Sequence, residues 1–169
     1  MGAPALDLVA IPGVILRFLE RASIAYAATR DRHLTPHFHW VCGWIREPEP
    51  QFLTFFVAEP FTERLLRNVA ECPRLALTIE HIGPHETYQF KGDFAGTRAT
   101  GAAERAAFEA CRERFVRDVQ QIDTRHNFAS RTLELYLGQP SLAVRIAVQE
   151  VFLQTPGPGA GRRLAPPEP

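Results

Sequence analysis

Two long stretches of this chain repeat with a period of two. From Thr35 to Ile45, Phe38, Trp40, Cys42 and Trp44 alternate with His37, His39, Val41 and Gly43, which reads as an apolar Phe/Trp face toward core or interface and a half-solvated His face opposite. From Ser141 to Gln154, Leu142, Val144, Ile146 and Val148 alternate with Ala143, Arg145, Ala147 and Gln149. Such alternation belongs to β-strands, whose side chains point to opposite faces in turn. Four further β-rich segments run over Ile24–Thr29, Gln51–Ala58, Leu75–Ile82 and Thr87–Arg98, the last broken by Gly92 and Gly96. The period changes to a helical one after the third strand. Phe61, Leu65, Leu66 and Val69 share a face over Pro60–Cys72, and Pro73 ends that helix. Ala102–Ile122 is the longest helix, with Phe108, Cys111, Phe115, Val119 and Ile122 spaced by three and four. Its charged residues, Arg112, Arg114 and Arg117 with Glu109, Glu113 and Asp118, read as a solvated outer face. A leading helix over Asp7–Arg21 becomes regular near Pro12-Gly13, and Arg131–Leu137 reads as a short, weak helix. About six strands, one short helix after the third and longer helices outside predict a mainly β protein with α elements, an antiparallel barrel.

Bulk properties narrow the partners. The chain has 169 residues, enough for one sizeable core, with Lys plus Arg and Asp plus Glu at 19 each. A net charge of zero argues against bulk nucleic acid or an anionic membrane as partner. Lys91 is the single Lys, so the cations are almost all Arg, whose planar fork suits phosphate or carboxylate. The 3 cysteines, Cys42, Cys72 and Cys111, form no CxxC pair and read as reduced thiols of a cytoplasmic protein. No apolar run approaches the roughly 20 residues of a spanning helix. No GxGxxG, Walker loop, Ser-His-Asp order or HExxH occurs, which leaves dinucleotide, triphosphate, triad-hydrolase and zincin readings without support. Residues 1–155 read as one domain, and the Pro/Gly-rich 156–169 as a mobile tail.

Several stretches, in order, resemble the flavin-binding split-barrel family of pyridoxamine 5′-phosphate oxidase. Ala27-Ala28-Thr29 followed by Thr35-Pro36-His37 is similar to its opening, and Phe52-Leu53-Thr54-Phe55-Phe56-Val57 to its third strand. Leu65-Leu66-Arg67-Asn68-Val69 with Cys72-Pro73-Arg74-Leu75-Ala76-Leu77 resembles the family's helix-to-strand joint. Thr87-Tyr88-Gln89-Phe90-Lys91-Gly92 resembles its fifth strand, and Val151–Gly157 the close of an uncharacterised subgroup. The likeness covers residues 22–100 well and the rest loosely.

What the resemblance implies is a six-stranded antiparallel split barrel, a homodimer with flavin mononucleotide (FMN) at the subunit interface, and oxidoreductase activity on a small-molecule substrate. It places Thr62, Arg64 and Arg67 on the FMN phosphate, and Val57, Gln89 and the strand around His37 on the ring. It nominates no catalytic acid or base and no metal ligand. Two departures stand out. Leu65 occupies the family's usual Lys position, and His33-Leu34 precede Pro36 where a Gly is usual. The alternative reading is a non-catalytic dimeric barrel that holds haem or a metabolite, with the deazaflavin F420 as a third ligand class.

Overall fold

A computed structural model describes residues 7–122 and 138–166. In chain order the elements are α1 (Gly13–Phe18), β1 (Ile24–Arg30), β2 (Pro36–Val41), β3 (Gly43–Arg46), β4 (Phe52–Ala58), α2 (Glu59–Glu71), β5 (Arg74–His81), β6 (Glu86–Ala99), α3 (Ala102–Ile122), β7 (Pro140–Leu153) and β8 (Arg163–Ala165). The expected strands and the two principal helices are present with ends shifted by a residue or so. The leading helix is shorter than expected and begins where Pro12-Gly13 marks it. The short helix expected over 131–137 lies outside the described residues.

All pairing is antiparallel, in the order β2-β1-β5-β6-β7-β4-β3, with β8 added on β7. The two edge strands of that path, β2 and β3, are separated in the chain by Cys42 alone. Ala25 pairs with Val41, whereas the Cys42 N–H donates to the Phe56 carbonyl at 2.8 Å, so one strand leaves β1 and joins β4 at this corner. The sheet therefore curls until its two edges meet. Counting β2 and β3 as one bent strand and leaving β8 aside returns the six strands read from the sequence. The curled interior is filled by Phe18, Leu53, Phe55, Leu65, Leu77, Ile79, Phe90, Val144, Ile146 and Val148, each at most 1% exposed.

Three local outcomes depart from expectation. In β2 the histidines point inward and the aromatics outward: His39 is 1% exposed and Phe38 is 53% exposed. Buried partners for His39 and lateral ring contacts for Phe38 make this arrangement stable, as described below. In α3 the buried face turns by one residue toward its end, so Asp118 is buried beside the His81 Nε2 at 3.4 Å while Ile122 is exposed. The charged face is accordingly divided: Arg112 pairs with Glu109 outside, but Arg114 turns inward to the Ala22 carbonyl. Finally, the segment after Gln154 turns back on the barrel. Arg163–Ala165 pairs with β7, and Ala165 is buried in the core. Two backbone bonds fix this return, Gly161 N–H to the Leu153 carbonyl at 2.7 Å and Leu153 N–H to the Arg162 carbonyl at 2.9 Å. A Pro/Gly-rich composition hid a strand of only three residues.

The turn before β2 explains the missing glycine. Leu34 sits at φ 66°, the left-handed region that glycine usually fills. The Asp31 carboxylate holds the turn by accepting the His33 and Thr35 N–H groups at 2.9 and 3.0 Å. Those hydrogen bonds, the Thr35 one foremost, also keep the Asp31 carboxyl below its ordinary pKa.

Candidate ligand cleft

The barrel mouth near α2 gathers the first set of candidate residues. Arg64 is exposed on α2 and donates from Nη1 to the His37 Nε2 at 3.2 Å. His37 lies at the start of β2, and Asp31 Oδ2 is 3.8 Å from the same nitrogen. Arg67 is drawn along the helix to Glu63 at 2.5 Å, away from that pair. The Thr62 hydroxyl lies 3.3 Å from the Ala58 carbonyl and 3.2 Å from Ser141 Oγ, which in turn donates to the Val57 carbonyl at 3.1 Å. Val57 itself is fully buried, so its side chain belongs to the core and not to a ligand surface. Leu65, at the family's Lys position, is also fully buried. The start of α2 carries Glu59 and Pro60, an anion and a residue without an N–H, and no side-chain cap. An incoming phosphate would find fewer free amides there than at an ordinary helix start, so Arg64, held by His37, is the main cationic element at the mouth.

Behind this mouth lies a buried polar cluster that sequence reasoning did not assemble. Asn68 Nδ2 donates to Thr29 Oγ1 at 2.7 Å, and Thr29 Oγ1 is 2.8 Å from His39 Nε2. The hydroxyl oxygen accepts from Asn68 and keeps a proton and a second lone pair, so it pairs with His39 Nε2 as donor or as acceptor according to the imidazole tautomer. Burial above all, with the charges of His37 and Arg64, pushes the His39 pKa down to about 4. The cluster ties α2 to β1 and β2. No pattern within a single element marks this cluster, since its three members come from β1, β2 and α2.

The second set lies on the outer face of the sheet. Tyr26, Phe38 and Trp40 form a ring cluster with centroids 5.2 to 5.5 Å apart. Across the strands, Trp40 pairs with Tyr26, Tyr26 with Thr78, Thr78 with Gln89, and Gln89 with Phe152. Gln89 Nε2 donates to Thr78 Oγ1 at 3.1 Å, and Lys91 Nζ stands 4.5 Å over the Phe152 ring. Next to the aromatics a groove of ≈ 370 Å³ opens over Ala28, Leu75 and Ala76, bounded by Arg30, Arg74 and Lys91. Arg74 is shared among Gln149, Asp93 and Glu150. Among the described residues Arg30 has no carboxylate within 4 Å. Small floor residues, flat rings and cations suit a planar anionic ligand.

The candidate residues thus fall into two groups that one chain does not bring together. His37, Arg64 and Thr62 sit at the barrel mouth; Gln89 sits on the outer face with Lys91. Among the described residues no group of three His, Cys, Asp or Glu is arranged to hold a metal ion, and no helix is long and apolar enough to cross a membrane.

No family model matches this chain, and no curated protein matches it in sequence. Solved structures do. HupZ of Group A Streptococcus has a TM-score of 0.52 at 16% identity, covering 89% of this chain and 100% of its own. An F420 reductase has 0.50 at 14%, covering 83% and 98%. A Lactobacillus delbrueckii protein assigned as a pyridoxamine 5′-phosphate oxidase has 0.49 at 12%, covering 90% and 99%. At such identities the likeness is one of fold. This chain has the split-barrel fold of the pyridoxamine 5′-phosphate oxidase type.

Proposed function

We propose that this protein is a homodimeric FMN-dependent oxidoreductase related to pyridoxamine 5′-phosphate oxidase, acting on a small-molecule substrate. The observation that carries the reading is the outer sheet face, where the Tyr26–Phe38–Trp40 cluster borders a groove edged by Arg30, Arg74 and Lys91. An exposed aromatic surface beside cations fits the flat, electron-accepting ring of a flavin, whose phosphate the mouth residues take. F420 reductase, one of the proteins of like fold, is named for a deazaflavin.

The residues present fit such a cofactor in part. Arg64, with His37 behind it, replaces the cation lost at Leu65, and the Thr62 hydroxyl adds a neutral partner for phosphate. Arg67 needs only to leave an exposed pair with Glu63, which costs little. Gln89 offers both a donor and an acceptor to the ring edge. Bound flavin would supply the electron or hydride transfer; the chain orients it and sets the charge nearby. Because the mouth residues and Gln89 lie on different faces of one sheet, a second copy must contribute one set. A dimer through the outer face does this and covers Phe38.

Phe38→Glu tests the dimer and the site together. Light scattering is expected to show a dimer for the parent and a monomer for the variant, with circular dichroism unchanged and FMN binding weakened at least about tenfold. A monomeric variant that binds FMN as tightly as the parent contradicts the shared site.

A further inference from the structure

On the far side of the barrel, a second groove of ≈ 370 Å³ runs between the end of α1, β3 and α3. It is lined by Leu19, Trp44, Ile45, Ala107 and Ala110, with Arg114 inside and Glu20 and Arg46 at the rim. The lining is largely apolar, with one aromatic wall. Trp44 is fixed there because its Nε1–H donates to the Leu19 carbonyl at 3.1 Å.

Arg114 gives the groove its chemistry. Nε donates to the Ala22 carbonyl at 2.8 Å, Nη2 donates to Cys111 Sγ at 3.0 Å, and the guanidinium carbon stands 5.7 Å from the Trp44 ring centroid. Burial pushes the Cys111 thiol above its ordinary pKa, so the sulfur is a neutral acceptor and not a counter-ion. Among the described residues no carboxylate lies within 4 Å of this guanidinium, unlike those of Arg46, Arg98, Arg112 and Arg145. The Arg46 charge is taken by Glu20 at 2.5 Å. The groove therefore presents one positive charge in excess, on a fork already oriented by two neutral partners and half-shielded from water.

We infer that this groove is a binding site for a small aromatic carboxylate, its ring against Trp44 and the Ala107–Ala110 face of α3, its carboxylate on Arg114. A single uncompensated guanidinium matches a monoanion, and its planar fork matches carboxylate geometry. Apolar lining with one convergent charge is the usual make-up of a small-molecule site. The site is separate from the outer sheet face and does not depend on the flavin reading.

Calorimetric titration of the full chain with benzoate and with neutral benzamide tests it. Benzoate is expected to bind with a Kd of about 1 mM or tighter, and benzamide at least about tenfold more weakly. Arg114→Gln removes that preference, and Ala110→Leu, which fills the groove from an exposed helix position, abolishes binding of both. In a Trp40→Phe background the fluorescence of Trp44, then the sole tryptophan, shifts on addition of benzoate. Equal binding of benzoate and benzamide, binding undiminished by Ala110→Leu, or no binding at all overturns the assignment. FMN binding is expected to be unchanged in Ala110→Leu.

Discussion

Gly92→Ala is expected to destabilise the fold by about 3 kcal/mol or more, a large part of the roughly 5–15 kcal/mol that holds a typical domain. A methyl group built at Gly92 would lie 2.0 Å from the Ala147 carbonyl oxygen and 2.8 Å from its carbon. Both are backbone atoms of the neighbouring strand, so no side chain can rotate to relieve the overlap. The position is also where the β6–β7 register shifts: Lys91 pairs with Glu150 and Gly92 with Val148, leaving Gln149 out of the ladder. That extra residue bends the strand and presses the two backbones together. Arg74 and Asp93 hold the displaced Gln149 side chain, so the kink is supported from both sides. Urea unfolding would show a lower midpoint, or no cooperative transition, for Gly92→Ala. Gly83→Ala serves as the control, since a methyl there meets nothing within 4 Å, and is expected to stay within about 0.5 kcal/mol of the parent. Equal midpoints for the two variants would contradict the strand geometry.

Acid should weaken the fold well before its carboxylates titrate, and His39 is the reason. In the unfolded chain His39 takes up a proton near its ordinary value of 6.5, whereas in the fold it does so only near 4. Between those values the unfolded state binds a proton that the native state excludes, so stability falls as pH falls from 6.5 toward 4 and is unaffected above about 7. The loss amounts to roughly 2 kcal/mol by pH 5 and roughly 3 kcal/mol at the lower end. His39→Gln keeps a polar side chain but removes the titration. Its stability between pH 7 and 5 should be flatter than the parent's by about that 2 kcal/mol, with the other histidines common to both proteins. Parallel profiles would contradict the neutral, buried imidazole.

Much of the architecture was legible because periodicity reports burial. The β7 strand, the Phe61–Leu65–Val69 spacing in α2 and the Pro73 stop correspond to what is observed, whereas Leu66, read on the same α2 face, is exposed. The reading missed where a local rule competed with a tertiary one. Hydrophobic alternation in β2 suggested an aromatic inner face, but Thr29 and Asn68 supply partners that let His39 go inside, and Tyr26 gives Phe38 and Trp40 company outside. No single-strand pattern contains those partners. Counting charges along α3 put Arg114 on the solvated side, since the Ala22 carbonyl that draws it in lies 92 residues away. Leu34 at a positive φ shows the reverse case: the resemblance expected glycine there, and Asp31 holds the turn without it. Of the candidate site, the His37–Arg64 contact joins two nominated residues, while buried Val57 and Glu63-bound Arg67 illustrate what spacing alone does not decide.

The central claim, a flavin site in a dimer cleft, is tested most directly by the absorbance spectrum of the purified protein, followed by titration with FMN. The account predicts a yellow protein, or a colourless one that takes up FMN with micromolar affinity and loses at least about tenfold of it in Arg64→Ala. A protein that ignores FMN while its dimer stays intact, or that shows a strong Soret band from bound haem, would contradict it.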